Sequence, residues 1–312
     1  MQLLRVIFSF GLIFSACSPL SAQKIMTLEW ETKHAAAPVR VAKKHQLILK
    51  MIRTGAGHVP ETKFMQFSGA GAAFLGLDND EATHLGKLIS AYYRRMQDEF
   101  DNGKFPAIPT AVAYCYSGKK LSSGLANVYV PETVNEQTSV ILFLHGYGGN
   151  FSFYLHYFAT LFPDSIILCP AYGISMADVP DAYLKECLTE ASRALDISLT
   201  KPVLIGLSAG GTGGFRHYAR CSTDYAGFVS IVSFPPKDVL AQWPKNTNVR
   251  MIAGGKEAFV QNGTFVRHAK RLKLTSDEVK VVKEQGHFLI LEEEGVARKW
   301  LKQSLESLFS KK

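Results

Sequence analysis

The spacing of apolar and polar positions changes character along this chain. From about Val112 onward, short apolar or β-branched runs alternate with stretches whose apolar residues recur every three to four positions. The runs at 127–130, 140–144, 166–169, 203–206, 227–232, 250–253 and 279–283 predict strands, because such side chains suit a pleated, packed surface. The stretches between them predict helices, clearest at 181–199, 209–221, 263–274 and 294–309. This alternation predicts an α/β fold: a mostly parallel sheet with helices on both faces.

Residues 24–109 carry helical rather than strand periodicity. Their clearest element opens with an Asp78-x-x-Glu81 capping box and places Leu85, Leu88, Ile89, Tyr92, Met96 and Phe100 on one face. That face is expected to pack on the main domain. The organisation read from the chain is therefore a leader at 1–22, a helical N-terminal extension at 23–110, and a main domain at 111–312.

The leader has Arg5 as its positive end, an apolar stretch from Val6 to Ala16, and a small-residue cleavage site at Leu20-Ser21-Ala22 before Gln23. A bilayer-spanning helix needs about 20 apolar residues, so this stretch predicts export rather than a membrane span. Cys17 follows Phe14-Ser15-Ala16 and resembles a bacterial lipoprotein processing site, with Phe where Leu is usual. The product is then periplasmic or secreted, or held at a membrane through a lipid on Cys17.

Composition narrows the remaining choices. The chain has 312 residues, 47% of them hydrophobic and 20% charged, enough to bury a large core. Its net charge of +8 is spread rather than blocked, and no aromatic-basic stripe accompanies it, which argues against a nucleic-acid partner. Beyond the leader, Cys115, Cys169, Cys187 and Cys221 lack Cys-x-x-Cys pairs, so no structural zinc is expected. They read as buried small hydrophobes or as one bridge, with the pairing open.

The chemistry concentrates at Gly206-Leu207-Ser208-Ala209-Gly210, where the strand run 202–205 meets a predicted helix. Strand, sharp turn and helix are the context in which a Gly-x-Ser-x-Gly match presents a nucleophile. Attack by Ser208 on an acyl carbon creates an oxyanion that needs two preorganised donors. His145-Gly146-Tyr147-Gly148-Gly149, directly after the run 140–144, can turn backbone amides toward it, and the donors are assigned to Tyr147 and Ala209. A serine hydroxyl also needs a base. His287, in Gly286-His287-Phe288 after the last predicted strand, stands at the sheet edge where such sites lie. The carboxylate that orients it is read as Glu257, after the strand at 250–253, with Asp238 as the rival and Glu284, close to His287 in sequence, as a more distant one.

The order Ser208, Glu257, His287, together with the two glycine turns, resembles the α/β-hydrolase family over about residues 126–308. The nearest resemblance is to exported carboxylesterases of the feruloyl and acetylxylan esterase type and to polyhydroxybutyrate depolymerase-like enzymes. Glu257 stands where most members carry Asp, and the segment before residue 110 has no counterpart. The resemblance implies a sheet of about eight strands, ester hydrolysis through an acyl-enzyme, and no cofactor. The expected partner is a small-molecule or polymer-borne ester. A peptidase of the prolyl-oligopeptidase-like branch, and a non-catalytic binding module on the same fold, are the competing readings. The connection between Val232 and Arg250 is too short for a helical lid. Phe151, Tyr154 and Phe234 are candidate walls of a substrate pocket, with core packing as the alternative for the aromatics after the glycine turn.

Overall fold

The central strands consist of side chains with no solvent-facing member, and that property decides where they lie. Every residue of β3 (Val140–Leu144), β5 (Val203–Leu207), β6 (Gly227–Ile231) and β7 (Val249–Gly254) is buried. A strand buried on both faces needs helices above and below it, and crossover helices make the sheet parallel. The computed structural model describes residues 23–39, 46, 50, 52–55, 59–67, 79–245, 247–292 and 295–310. The leader, Cys17 and the Asp78 end of the capping box lie outside the described residues.

Eight strands form one sheet in the order β1-β2-β4-β3-β5-β6-β7-β8. The remaining strands are β1 (Lys24–Glu31), β2 (Ser123–Val130), β4 (Ile166–Ala171) and β8 (Val279–Val282). β2 runs antiparallel to both β1 and β4, and every other pairing is parallel. The main helices are α1 (Glu61–Phe67), α2 (Asn79–Asp101), α3 (Ser152–Leu161), α4 (Asp181–Leu195), α5 (Ala209–Cys221), α6 (Thr264–Arg271) and α7 (Val296–Phe309).

Alternation along β3 separates the two cores. Ile141 and Phe143 face one layer, with Tyr92 and Met96 of α2, Phe158 of α3 and Leu301 of α7. Val140, Leu142 and Leu144 face the other, with Leu184 of α4, Phe215 of α5 and Phe265 of α6. Each such side chain, fully buried, contributes about 1.5–3 kcal/mol of transfer free energy, so the sheet centre is the most strongly specified part of the molecule.

The helical reading of residues 24–109 fails at its start, because Lys24–Glu31 is a strand that pairs with all of β2. Leu28 and Trp30 point inward while Glu29 and Glu31 stay exposed, a period of two confined to a few residues. A Cβ on Gly124 would meet the Trp30 ring at 2.2 Å, so the indole lies against that glycine. Its Nε1–H donates to Glu186 Oε2 at 3.3 Å.

The helical face expected at 85–100 does form. Leu85, Tyr92 and Met96 of α2 are buried, and Leu88, Ile89 and Phe100 pack partly buried against the same core. A buried relay pins α2 to α3. His156 Nε2 lies 2.7 Å from Glu99 Oε2, and His156 Nδ1 lies 3.0 Å from the Tyr92 hydroxyl. A carboxylate only accepts, so the ring proton is on Nε2 and the tyrosine donates to Nδ1.

Candidate active site

Leu207 ends β5 and Ala209 begins α5, leaving one residue to reverse the chain. Ser208 does so at φ 53° and ψ −115°, a conformation that costs about 1–3 kcal/mol and persists only where the surroundings enforce it. Its amide donates to Ile231 O at 2.9 Å, and its carbonyl accepts from Thr212 N at 3.0 Å. Gly210 has no room for a side chain, since a Cβ there would lie 2.1 Å from Leu144 O and 2.5 Å from His145 O. The start of α5 therefore abuts the end of β3, bringing the serine turn beside the 145–149 turn.

His287 Nε2 lies 2.9 Å from Ser208 Oγ, and His287 Nδ1 lies 3.3 Å from Glu257 Oε1. The carboxylate accepts a hydrogen bond from Nδ1–H, which leaves Nε2 to accept one from the serine hydroxyl. Glu257 sits just after β7, and its side chain is mostly buried. The β7 end also fixes the His287 loop, since Gly255 N donates to Val282 O at 2.8 Å and Lys256 N to Gln285 O at 3.0 Å. Gly254 permits that approach, for a Cβ there would lie 2.4 Å from Gln285 O. Asp238, the rival carboxylate, is exposed on the short helix Lys237–Ala241, and Glu284 is exposed as well. That five-residue helix is the only helical element between β6 and β7 among the described residues.

Sheet order and antiparallel β2, a sharp serine-bearing turn between β5 and α5, and a serine–carboxylate–histidine order along the chain decide the architecture. This is an α/β-hydrolase fold.

No family model matches the chain, and no curated protein matches it in sequence. Solved structures similar to this hydrolase fold include a lipase in an open form, at 15% identity and TM-score 0.46, covering 60% of this chain and 95% of that one. A ferulic acid esterase matches at 14% identity and TM-score 0.46, over 61% of this chain and 94% of that one. A Staphylococcus aureus fluorophosphonate-binding serine hydrolase matches at 12% identity and TM-score 0.46, over 66% and 95%.

The hydrolase fold places the 145–151 loop beside Ser208. A Cβ on Gly146 would lie 3.4 Å from Ser208 Cβ, so the loop backbone touches the serine directly. Among the described residues, neither the Tyr147 nor the Ala209 amide has a protein acceptor. The Tyr147 ring is 61% exposed, which puts any contribution of this residue to the inner site on its backbone. His145, read from sequence as one loop residue among several, is a buried brace. Its Nε2 accepts from Tyr172 N at 3.2 Å, so its Nδ1 carries the proton and donates to Gly146 O at 2.8 Å. Burial pulls its pKa down to about 4, and it stays neutral.

The candidate pocket walls divide. Phe151 is half-buried, with its ring against Gly148, and Phe234 is half-buried, tilted against Phe259 and edge-on to His268. Tyr154 is buried among Phe143 and Phe153 and belongs to the core instead. Phe288, next to His287 and partly buried, is an adjacent aromatic that sequence reasoning did not single out.

Outside this site, Asp181, His217 and Cys221 bring potential metal ligands within 4.8 Å of one another. The donor atoms of Asp181 and His217 are already engaged. His217 Nδ1 bonds Asp181 at 2.7 Å, His217 Nε2 bonds Tyr225 at 2.6 Å, and Arg220 clamps both Asp181 oxygens at 2.7 Å. A cation there would have to displace or face the guanidinium, so the cluster fits a structural network. All four described cysteines are buried and free, and burial pushes the Cys115 and Cys187 thiols up to about 12.

Proposed function

We propose that the protein is an exported serine hydrolase that cleaves carboxylic esters through an acyl-enzyme. The observation that carries the reading is the continuous chain from Ser208 Oγ through His287 to Glu257. His287 Nε2 takes the hydroxyl proton as Ser208 Oγ attacks the ester carbonyl. The resulting oxyanion lies against the Tyr147 and Ala209 amides, where donors are worth most because they are fixed before charge develops. The imidazolium, stabilised by Glu257, then protonates the departing alcohol as the carbon–oxygen bond breaks. Water, deprotonated by the same nitrogen, attacks the acyl-serine, and the acid leaves as Ser208 recovers its proton.

Export rests on the leader at 1–22, and no helix among the described residues is long and apolar enough to cross a membrane. Intact-mass analysis of the processed protein separates a chain beginning at Gln23 from one acylated at Cys17. The catalytic reading is tested by exposing the protein to a fluorophosphonate and locating the adduct by mass spectrometry. The adduct is expected on Ser208 and absent in Ser208→Ala; labelling that survives the substitution refutes the assignment. Turnover of p-nitrophenyl esters of graded chain length, compared with peptide anilides, distinguishes esterase from peptidase.

A further inference from the structure

Glu61, from the N-terminal extension, is buried without an ion-pair partner among the described residues. It instead collects four donors. Its Oε1 accepts from the Tyr93 hydroxyl at 2.7 Å, from Ser152 N at 2.7 Å and from Ser152 Oγ at 2.8 Å, while Oε2 accepts from Thr110 Oγ1 at 2.7 Å. Every partner donates, as an acceptor-only carboxylate requires.

Ser152 is the first residue of α3, and Phe151 before it supplies no side-chain cap. The Ser152 amide is one of the donors that a helix start leaves unpaired, and Glu61 takes it from 91 positions away in sequence. Burial pushes the Glu61 carboxyl above its ordinary range, and the hydrogen bonds from Tyr93, Thr110 and Ser152 act against that shift.

This contact ends the loop that carries the Tyr147 amide. Gly148 and Gly149, at φ 107° and 105°, give that loop little conformational restraint of its own, so its shape depends on external ties. His145 holds its first residue, Gly148 N donates to Ile174 O at 2.7 Å, and Asn150 N donates to Cys115 Sγ at 3.3 Å. Glu61 holds Ser152, directly after its last residue. We propose that Glu61 is a positioning residue for the oxyanion amide of Tyr147, acting through Ser152, and that the extension thereby completes the active site. The inference rests on the hydrolase reading of Ser208.

The test compares wild type, Glu61→Gln and Ser152→Ala as full chains. Active sites are counted with a fluorophosphonate, p-nitrophenyl acetate gives kcat and KM per counted site, and a trifluoromethyl ketone, whose hemiketal oxygen mimics the oxyanion, gives an inhibition constant. A loop displaced by a fraction of an ångström predicts a kcat loss of about tenfold to a hundredfold in Glu61→Gln, with KM within about twofold. The ketone inhibition constant should rise by the factor that kcat/KM falls. Ser152→Ala, which keeps the backbone bond, should show the same pattern at about threefold, and serves alone if Glu61→Gln does not fold. A kcat per counted site within twofold of wild type in the folded variants overturns the proposal, as does a loss matched by fewer counted sites. A wild type that neither labels at Ser208 nor turns over ester removes the hydrolase reading and this proposal together, whereas an active wild type with unchanged variants removes only this one.

Discussion

Gly210→Ala places one methyl group between the two backbone segments that carry the proposed oxyanion donors. Its Cβ would stand 2.1 Å from Leu144 O, and relieving that contact to 3.0 Å requires 3.0 − 2.1 = 0.9 Å of separation between the start of α5 and the end of β3. Both opposing groups are backbone, so no rotamer change can absorb it. Ala209 lies immediately before the inserted methyl and Tyr147 two residues beyond His145, so the widening falls between the two amides. An oxyanion donor acts at about 2.7–3.1 Å, and the displacement takes one of the two out of range. The expected loss is about a hundredfold to a thousandfold in kcat, equivalent to ~2.7–4 kcal/mol. Overpacking of this kind costs about 1–3 kcal/mol of stability, which for a domain of this size lowers Tm by roughly 2–12 °C. Steady-state turnover of p-nitrophenyl acetate normalised to fluorophosphonate-reactive serine, with a thermal melt, measures both. A folded Gly210→Ala variant with kcat within tenfold of wild type would refute the assignment of Tyr147 and Ala209.

Three further outcomes are expected. Glu257→Gln should lower kcat by about a thousandfold to ten-thousandfold by disturbing the His287 tautomer, whereas Asp238→Asn, at an exposed position, should leave it within twofold; the opposite ranking in ester assays would move the acid. His145 makes stability acid-sensitive. Its folded pKa of about 4 lies below the ordinary 6.5, so the unfolded chain binds more protons between those values, and stability present above pH 6.5 is lost as pH falls toward 4. That loss, about 3 kcal/mol by the 6.5-to-4 interval, should appear in urea titrations of wild type between pH 6.5 and 4 and be missing from those of His145→Gln. Finally, Gly254→Ala should reduce kcat without abolishing folding, because it pushes the His287 loop off β7. An unchanged rate at full labelling would show that the loop is held elsewhere.

The sheet centre was legible because runs such as Val140-Ile141-Leu142-Phe143-Leu144 have one physical destination. β1 was not, because Lys24 on the inward phase and Ile25 on the outward one blur a two-residue rhythm carried mainly by Leu28 and Trp30. The alternation Met26, Leu28, Trp30 was the signal available. Ser208, His287 and Glu257 could be read because each follows a strand end within a few residues. Glu61 could not: its partners lie at 93, 110 and 152, and nothing local separates it from a solvated helix-start glutamate. Val232 also escaped notice. It leaves β6 at φ 52°, uncommon for a β-branched residue, beside the strand end that accepts the Ser208 amide.

The pairing of β1 with β2 has a consequence for the order in which the molecule assembles. Its nearest partners, Glu31 and Ser123, are 123 − 31 = 92 positions apart, and its farthest, Lys24 and Val130, are 130 − 24 = 106. Closing a loop of that length costs roughly 4 kcal/mol of chain entropy before any ladder bond repays it, so β1 has nothing to add to until β2 has joined β4. β1, the first strand among the described residues, is therefore among the last to dock. Amide exchange along β1 should outpace that of β3 and β5, and the sheet should open from this edge while the serine turn at its centre stays closed.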